Sequence, residues 1–355
     1  THLNMCISCL QDWNDFSPVG QLARRSFDLH EHLSKKLGAD RIQYRRLKCA
    51  TLRVGGNPQK PNGKKLEGVE WTPKPPMRLL GDQQTIAQVH PKQLCLGMWK
   101  EASKPKAEGG VGSTIVKGKV VGPVHDDKGN CMGVRLEDGT VVKGDAVLFA
   151  CGPWTANVMT GVKYHSIVLK TTRVEDQCIF FSGCGDPEVY VRPDSTAYCT
   201  GFPDQATIVT EEPGEESVRP EAVQRIVDAV NTAIRGTDLV IEDHHHNEND
   251  DDENDNGNNN NGKETRGQAC YLPMTPDGLP IMGLLGEDVV GGGGCYIATG
   301  HTCWGILLGP ATGESMATLI ATGDETPYVD LTPYSPSRYG DDLVILDDRG
   351  DDSST

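Results

Sequence analysis

The sequence predicts an α+β fold in which a β-sheet layer packs against an α/β core, and three observations carry that prediction. Three β-rich runs at 113–124, 131–136 and 140–150 are joined by Lys128-Gly129 and Asp138-Gly139, turn signals because glycine accepts a positive φ without steric cost. An apolar strand at 295–299 runs through the glycine-bounded segment 300–305 into a helix that reaches about residue 322. Two amphipathic helices, at 18–37 and 216–234, each carry an apolar stripe with three- and four-residue spacing.

Each element follows from local chemistry. In the first helix the stripe is Val19, Leu22, Ala23, Phe27, His30, Leu33 and Leu37, with Ser17 as N-cap, Pro18 at the first helical position and Gly38 as the stop. Residues 41–54 alternate as a strand does, and the Pro/Gly/Lys-rich stretch 55–76 reads as a long loop. The run Ala146-Val147-Leu148-Phe149-Ala150-Cys151 is apolar without alternation, which predicts a strand covered on both faces. Gly152-Pro153-Trp154 stops it, and a helix is expected to begin over 155–159. A second strand-rich region spans 165–201, with a turn at Arg192-Pro193-Asp194. Residues 244–262 are almost entirely Asn, Asp, Glu, His and Gly and predict a disordered insertion, in which His244, His245 and His246 read as solvated rather than metal-binding. A strand near 269–272, a turn at Thr275-Pro276-Asp277-Gly278 and an acidic tail after Ser335 complete the chain.

Length and composition bound the function. A chain of 355 residues suggests about two domains, and 37% apolar with 24% charged residues is ordinary for a globular protein. The 34 basic and 50 acidic residues give a net charge of −16, which disfavours a nucleic-acid backbone as partner. Much of that excess lies in the Asn/Asp tract and the tail, either of which offers a surface to a protein partner. No apolar run approaches the ~20 residues of a membrane span. Twelve scattered cysteines read as reduced thiols in a cytoplasmic protein, and the lone pair Cys6 and Cys9 has no second pair to complete a metal site.

The segment 300–305 is the most specific chemical feature. A glycine-lined turn from strand to helix lets a ligand approach backbone N–H groups at the positive end of the helix dipole. Such an end stabilises a phosphate, a carboxylate or a reduced, negatively charged ring, although a tight turn with close packing accounts for the glycines equally well.

Three motifs occur in order: Gly152-Pro153-Trp154-Thr155; the stretch from Cys270-Tyr271-Leu272-Pro273-Met274 through Thr275-Pro276-Asp277-Gly278 to Gly283; and Gly300-His301-Thr302-Cys303-Trp304-Gly305 followed by Gly309-Pro310-Ala311-Thr312-Gly313. Together they resemble the FAD-dependent oxidoreductases of the D-amino-acid oxidase (glycine/sarcosine oxidase) superfamily, and within it the eukaryotic Tda3-type branch. Val89-His90-Pro91 and the helix at 17–27 are similar to further motifs of that family, so the likeness covers most of the chain outside the insertion and tail.

The resemblance implies an FAD-binding domain of glutathione-reductase-like type, incomplete at its N-terminus, and a β-rich substrate domain. It apportions 1–50, 106–163 and 266–325 to FAD, 51–105 and 164–240 to the substrate, 241–265 to the insertion and 326–355 to the tail. It implies that Gly300, His301, Thr302, Cys303, Trp304 and Gly305 face the isoalloxazine, that Gly152 and Trp154 line the adenosine and pyrophosphate, and that backbone near Val120 holds the adenine. Cys270 matches a position at which some relatives carry a covalent thioether to the flavin; a buried cysteine acting as a small hydrophobe is the alternative. The implied reaction is oxidation of an amine or amino acid by hydride transfer to flavin. Candidates to hold the substrate's carboxylate or act at the reacting centre are Arg192, Lys170 and His301, with a turn-closing salt bridge to Asp194 as the other reading of Arg192. Relatives often carry Lys or Arg shortly after the histidine matching His301; Cys303 and Trp304 stand here instead, which weakens the case for a simple amino acid.

The superfamily opens with a Gly-x-Gly-x-x-Gly strand-to-helix turn, and this sequence has none: Gly110-Val111-Gly112 and the four glycines at 291–294 precede strands. The expectation is a fragment, a gene model lacking an upstream exon, or a variant that does not bind FAD, with activity of the chain as given in question. A non-catalytic adaptor that keeps the fold for protein binding or vesicle traffic is the rival reading.

Overall fold

The computed structural model describes residues 6–8, 18–53, 71, 77–234, 241–242, 267–325 and 328–345. The first elements are a short strand, β1 (Cys6–Ser8), and helix α1 (Gly20–Leu37). Leu22, Ala23, Phe27, His30 and Leu37 form the buried stripe of α1, and Gly38, at φ +89°, closes it by donating its N–H to the Ser34 carbonyl. Pro18 lies in the turn before the helix rather than at its first position, Val19 takes the N-cap place, and Ser17 falls outside the described residues.

The expected strand at 41–54 is two strands. Residues 39–43 turn, and at Leu47 the chain passes from β2 (Arg45–Arg46) to β3 (Lys48–Arg53). After β4 (Met77–Gly81) comes β5 (Ile86–Gln88), which pairs with both β1 and β2 in a small antiparallel sheet. Of the expected loop 55–76 only Trp71 is described; it is fully buried, with Nε1 donating to Gln177 Oε1 at 2.9 Å. Helix α2 (Pro91–Ser103), with Pro91 at its first turn, was not read from the sequence.

The meander forms as β6 (Val120–His125), β7 (Cys131–Leu136) and β8 (Val141–Lys143). Its third run breaks at Gly144-Asp145, and β9 (Val147–Phe149) joins a different sheet. The expected helix over 155–159 does not form. A single tight turn at 152–154 is followed by Ala156, which bridges Ile345, and by Asn157, whose Nδ2 donates to the Asp342 carbonyl at 3.0 Å and whose Oδ1 accepts from Val344 N at 2.7 Å. Leu343 and Ile345 are buried, so the segment after Ser335 packs on the fold as far as Ile345.

The large sheet is built from β10 (Thr160–Thr171), β11 (Gln177–Ser182), β12 (Glu188–Val191), β13 (Thr196–Gly201) and β14 (Ala206–Thr207); helix α3 (Pro220–Ala233), β15 (Ile241–Glu242) and β16 (Gly267–Met274) follow. Its order is β14-β10-β13-β12-β11-β3-β4, with β15 and β16 also pairing to β10, and only β11 with β3 is parallel. The turn at 192–195 connects β12 to β13 where the sequence places it. One face packs on α3: Ile226 and Val230 meet Ile167, Leu169, Val189 and Cys199 in one core. The opposite face carries Cys178, Tyr190 and Tyr198.

The last third holds β17 (Ile281–Leu284), α4 (Glu287–Val290), β18 (Cys295–Thr299) and α5 (Gly305–Thr322). β18 lies between antiparallel β17 and parallel β9. β9 has one strand neighbour among the described residues and Leu148 is 41% exposed, so the expected cover on both faces is not present. Helix α5 crosses α1, and Arg25 grips Glu314 through two hydrogen bonds of 2.7 and 2.6 Å. Of the expected insertion 241–265, Ile241–Glu242 form β15 on β10, while residues 243–265, including the three histidines at 244–246, lie outside the described residues, as does Cys9.

Candidate functional site

Parallel strands β9 and β18 end side by side, each followed by a glycine: Gly152 at φ +59° and Gly300 at φ +78°. Thr299 Oγ1 donates to the Gly152 carbonyl at 2.7 Å and Thr155 Oγ1 donates to the same oxygen at 2.8 Å, so the two turns are fastened together. Gly300 is required twice over, by its φ and because a Cβ there would stand 2.5 Å from Thr275 Cγ2. A Cβ at Gly152 would meet nothing within 4 Å, which leaves its backbone open to approach. Thr302 adopts φ +51°, strained for a β-branched residue, in the turn that leads into α5. The crevice beyond the carboxyl ends of parallel strands is where open α/β sheets bind nucleotides.

The histidine of this turn faces inward. His301 Nε2 and Thr312 Oγ1 share a hydrogen bond of 2.9 Å, and Thr312 Oγ1 lies 3.8 Å from Met282 Sδ. Burial pushes its pKa down to about 4, leaving it neutral near pH 7. Trp304 N donates to the His301 carbonyl at 2.9 Å, and Gly305 begins α5. Trp154 Nε1 donates to the Thr210 carbonyl at 2.7 Å while its ring meets Tyr271 edge-on at 6.1 Å, tying the Gly152 turn to the large sheet. Val120 sits half-buried in the meander opposite Leu136. Cys270 is buried on β16 opposite Tyr164 of β10, and desolvation raises its thiol to about 11.

The two basic candidates are carried by the large sheet rather than by this turn. Lys170 is exposed near the far end of β10, six residues or ~20 Å along the strand from Tyr164. Arg192 follows β12 and is buried, with its guanidinium carbon 5.6 Å from the Tyr198 ring centroid and Nη2 without a hydrogen-bond partner. The salt bridge read as an alternative for it does not form, because Asp194 instead accepts from Gln43 Nε2 at 3.0 Å and Thr196 Oγ1 at 2.6 Å.

Sequence reasoning missed the face between the sheet and the turn. Register places Phe180, Glu188, Thr200, Ser166 and Gln268 opposite one another across β11, β12, β13, β10 and β16, a row with steps of ~5 Å. Tyr190 donates its hydroxyl proton to Glu188 Oε2 at 2.5 Å, and desolvation raises the Glu188 carboxyl above the usual carboxylate range. Burial raises the Tyr164 phenol and the Cys303 thiol, with a smaller contribution from the Glu188 charge to each. The missed signal was alternation: Glu188, Tyr190 and Arg192 are two residues apart and share a face.

Glycine-ended parallel strands beside a broad sheet with a polar face make this a mixed helix-and-sheet fold of the FAD-dependent oxidoreductase class. The chain belongs to the DAO family of FAD dependent oxidoreductases, whose sequence profile matches residues 9–319. It is 27% identical over 348 residues to the Schizosaccharomyces pombe protein named "Putative oxidoreductase C1F5.03c", covering 89% of this chain and 81% of that one. To "Putative oxidoreductase TDA3" of Saccharomyces cerevisiae it is 24% identical over 315 residues, covering 75% of this chain and 53% of the other. Glycine oxidase from Geobacillus kaustophilus shares the fold, with a TM-score of 0.65 and 18% identity over 93% of this chain and 86% of the enzyme. The residues present fit a flavin nucleotide: the backbone at Gly152 is open, Gly300 takes a positive φ and the start of α5 is uncrowded.

Proposed function

We propose that the protein oxidises an amine or amino acid on FAD, with the turn at 300–305 against the isoalloxazine and the β10–β13, β16 face of the sheet against the substrate. When bound, FAD supplies the hydride acceptor for the carbon beside the substrate nitrogen. Gly152 and Trp154 would line the nucleotide, and meander backbone near Val120 the adenine. The Thr302–Gly305 amides would stabilise negative charge on the ring. His301, neutral and bound to Thr312, would position the turn rather than exchange protons. Arg192 is the group suited to an anionic substrate substituent, since one of its buried nitrogens lacks a partner. Cys270 is the group for a covalent flavin link, and a cytoplasmic location suits the reduced thiols.

The observation that carries this reading is the Thr299–Gly152 bond, which holds both glycine turns at one crevice facing the substrate sheet. The test is the visible spectrum of the purified chain and of a form extended upstream, before and after acid precipitation. Anaerobic addition of a panel of amines and amino acids follows. Yellow protein bleached by one of the panel supports the proposal, and colour in the acid pellet that is lost in Cys270→Ala supports the covalent link. Colourless protein in both forms refutes it.

A further inference from the structure

The four glycines at 291–294, which the function proposed above does not use, run across the β6–β7 hairpin. Gly293 N donates to the Gly129 carbonyl at 2.9 Å. A Cβ at Gly292 would stand 2.5 Å from His125 Cδ2 and 2.7 Å from the Gly129 oxygen, and one at Gly294 would stand 2.7 Å from Cys131 Cβ. Side chains are thus excluded at the crossing, and the next residue, Cys295, is set down against the hairpin. Its Sγ lies 3.7 Å from His125 Nε2. His125 and Cys131 are partners across β6 and β7, and the Cys131 and Cys295 thiols share a hydrogen bond. Two thiols and an imidazole, brought by β6, β7 and β18, therefore meet at one point. Cysteines that only fill apolar space need no imidazole beside them. Cys295 is fully buried, and burial with the neighbouring Cys131 pushes its thiol up to about 12, so it rests protonated at neutral pH. A thiol of that kind reacts when an adjacent base takes its proton, and half-buried His125 stands where such a base must. Cys131, at 8% exposure, is the member of the pair that a small oxidant reaches from outside.

We propose that Cys131 and Cys295 form a reversible disulfide driven by hydrogen peroxide, with His125 as the proton acceptor. The Cys131 sulfur attacks the peroxide: an S–O bond forms, the O–O bond breaks, and the thiol proton leaves with the departing oxygen as water. Cys295 then attacks that sulfur and passes its proton to His125 Nε2. The S–S bond forms as the S–O bond breaks, and the departing hydroxide takes the proton from His125 to leave as a second water. Two thiols are oxidised and one peroxide is reduced. The bond joins β7 of the meander to β18, the strand that ends at the Gly300 turn, and a dithiol reopens it by exchange. The chemistry needs no flavin, so a colourless protein leaves it standing.

The experiment treats the full chain, reduced and desalted, with a small excess of hydrogen peroxide. Remaining thiols are blocked with iodoacetamide in denaturant, and a non-reducing digest is mapped by mass spectrometry. The expected product is a peptide pair joining Cys131 to Cys295, lighter than its two parts by two hydrogens and split by dithiothreitol. Cys131→Ser should abolish the pair and return Cys295 alkylated. His125→Asn should slow its formation by about tenfold or more while the exposed Cys95 is oxidised as before. Thermal melts check that both variants fold, and the result on the parent chain stands without them. Both cysteines recovered alkylated from the parent, Cys131 carried on to sulfinic acid with no link, or the same link formed equally well in the urea-unfolded chain each overturns the proposal. An unchanged rate in folded His125→Asn overturns it too.

Discussion

His30 of α1 donates its Nε2 proton to the carbonyl of Ile306 in α5 at 2.8 Å, and Ile306 is the residue whose helical partner four positions on is Pro310. Proline has no N–H, so the helix leaves that carbonyl without its usual bond, and the neighbouring helix replaces it. One position further, Ala311 N donates to Ser26 Oγ at 3.1 Å. Two polar residues, four apart on the buried face of α1, thus serve the proline interruption in the helix that begins at the functional turn.

Removing the donor should therefore depend on the proline. His30 is 1% exposed, and His30→Leu should cost about 1–3 kcal/mol by leaving a buried carbonyl unsatisfied. With Pro310→Ala the alanine N–H restores the helical bond, so the double variant should lose less than the sum of the two singles. Urea unfolding of all four proteins checks this; additive losses would show that His30 acts only by filling space.

The same histidine sets an acid limit. Burial lowers its pKa to about 4 against 6.5 for the free group, because Nδ1 is buried without a partner and a charged ring would be left unpaired. Above pH 6.5 the ring is neutral in both states and its contribution to stability is complete. Between 6.5 and about 4 the unfolded chain takes up a proton that the native state refuses, so stability falls as pH falls, by up to ~1.4 kcal/mol per pH unit for this group. His301 acts in the same direction. Unfolding midpoints measured down this range should drop, and the drop should be shallower in His30→Leu.

Gly300→Ala tests whether the turn geometry is essential. The variant carries a φ of +78° and a Cβ 2.5 Å from Thr275 Cγ2, so it should lose about 1–3 kcal/mol. Thr275→Ser removes the crowding methyl but not the φ strain and should restore only part of the loss. Full recovery would show that packing alone fixes glycine at this position.

Much of this was legible because it is local. Helix α1, the hairpins at Lys128-Gly129 and Asp138-Gly139, the turn at 192–195 and the β18-to-α5 transition follow from periodicity and turn chemistry within a few residues. What escaped depends on partners distant in sequence. The run at 146–151 is as apolar as a covered strand, but its burial depends on neighbours, and Leu148 is left exposed. Residues 155–159 follow a Gly-Pro stop where a helix could start, yet Asn157 is taken up by the chain at 342–344. Glu188 comes into line with Thr200, Ser166 and Gln268 only through strand register, which no single segment reveals.

Arg338 fastens the C-terminal segment over the turn between β16 and β17. Its guanidinium donates to Asp277 Oδ2 at 2.7 Å and to the carbonyls of Tyr334, Leu279 and Pro280 at 2.6, 3.0 and 2.8 Å. Although desolvation opposes it, the Arg338 bond and the Leu279 amide hold the Asp277 carboxyl down at about 2. The stabilisation is present above the ordinary carboxylate pKa and is lost as pH falls through about 2. Arg338→Ala should cost about 1–3 kcal/mol and make residues 328–345 the first segment cut by limited proteolysis. Uniform cleavage elsewhere would show that the strap does not depend on this side chain.

Arg192 separates a structural from a functional arginine. Its Nη2 is buried without a hydrogen bond, and burial pushes the guanidinium pKa below its ordinary value. A buried cation so placed adds little to stability, because desolvation offsets the attraction of Asp194 and the Tyr198 ring. Arg192→Met, which keeps the long side chain, should therefore leave the unfolding midpoint unchanged or raise it by up to ~1 kcal/mol in stability. If the free nitrogen serves an anionic substituent of the ligand, the same variant should weaken benzoate binding by about tenfold while sparing benzylamine, which shares the ring and lacks the negative charge. A loss of more than ~2 kcal/mol with both affinities unchanged would assign Arg192 to the 192–195 turn instead.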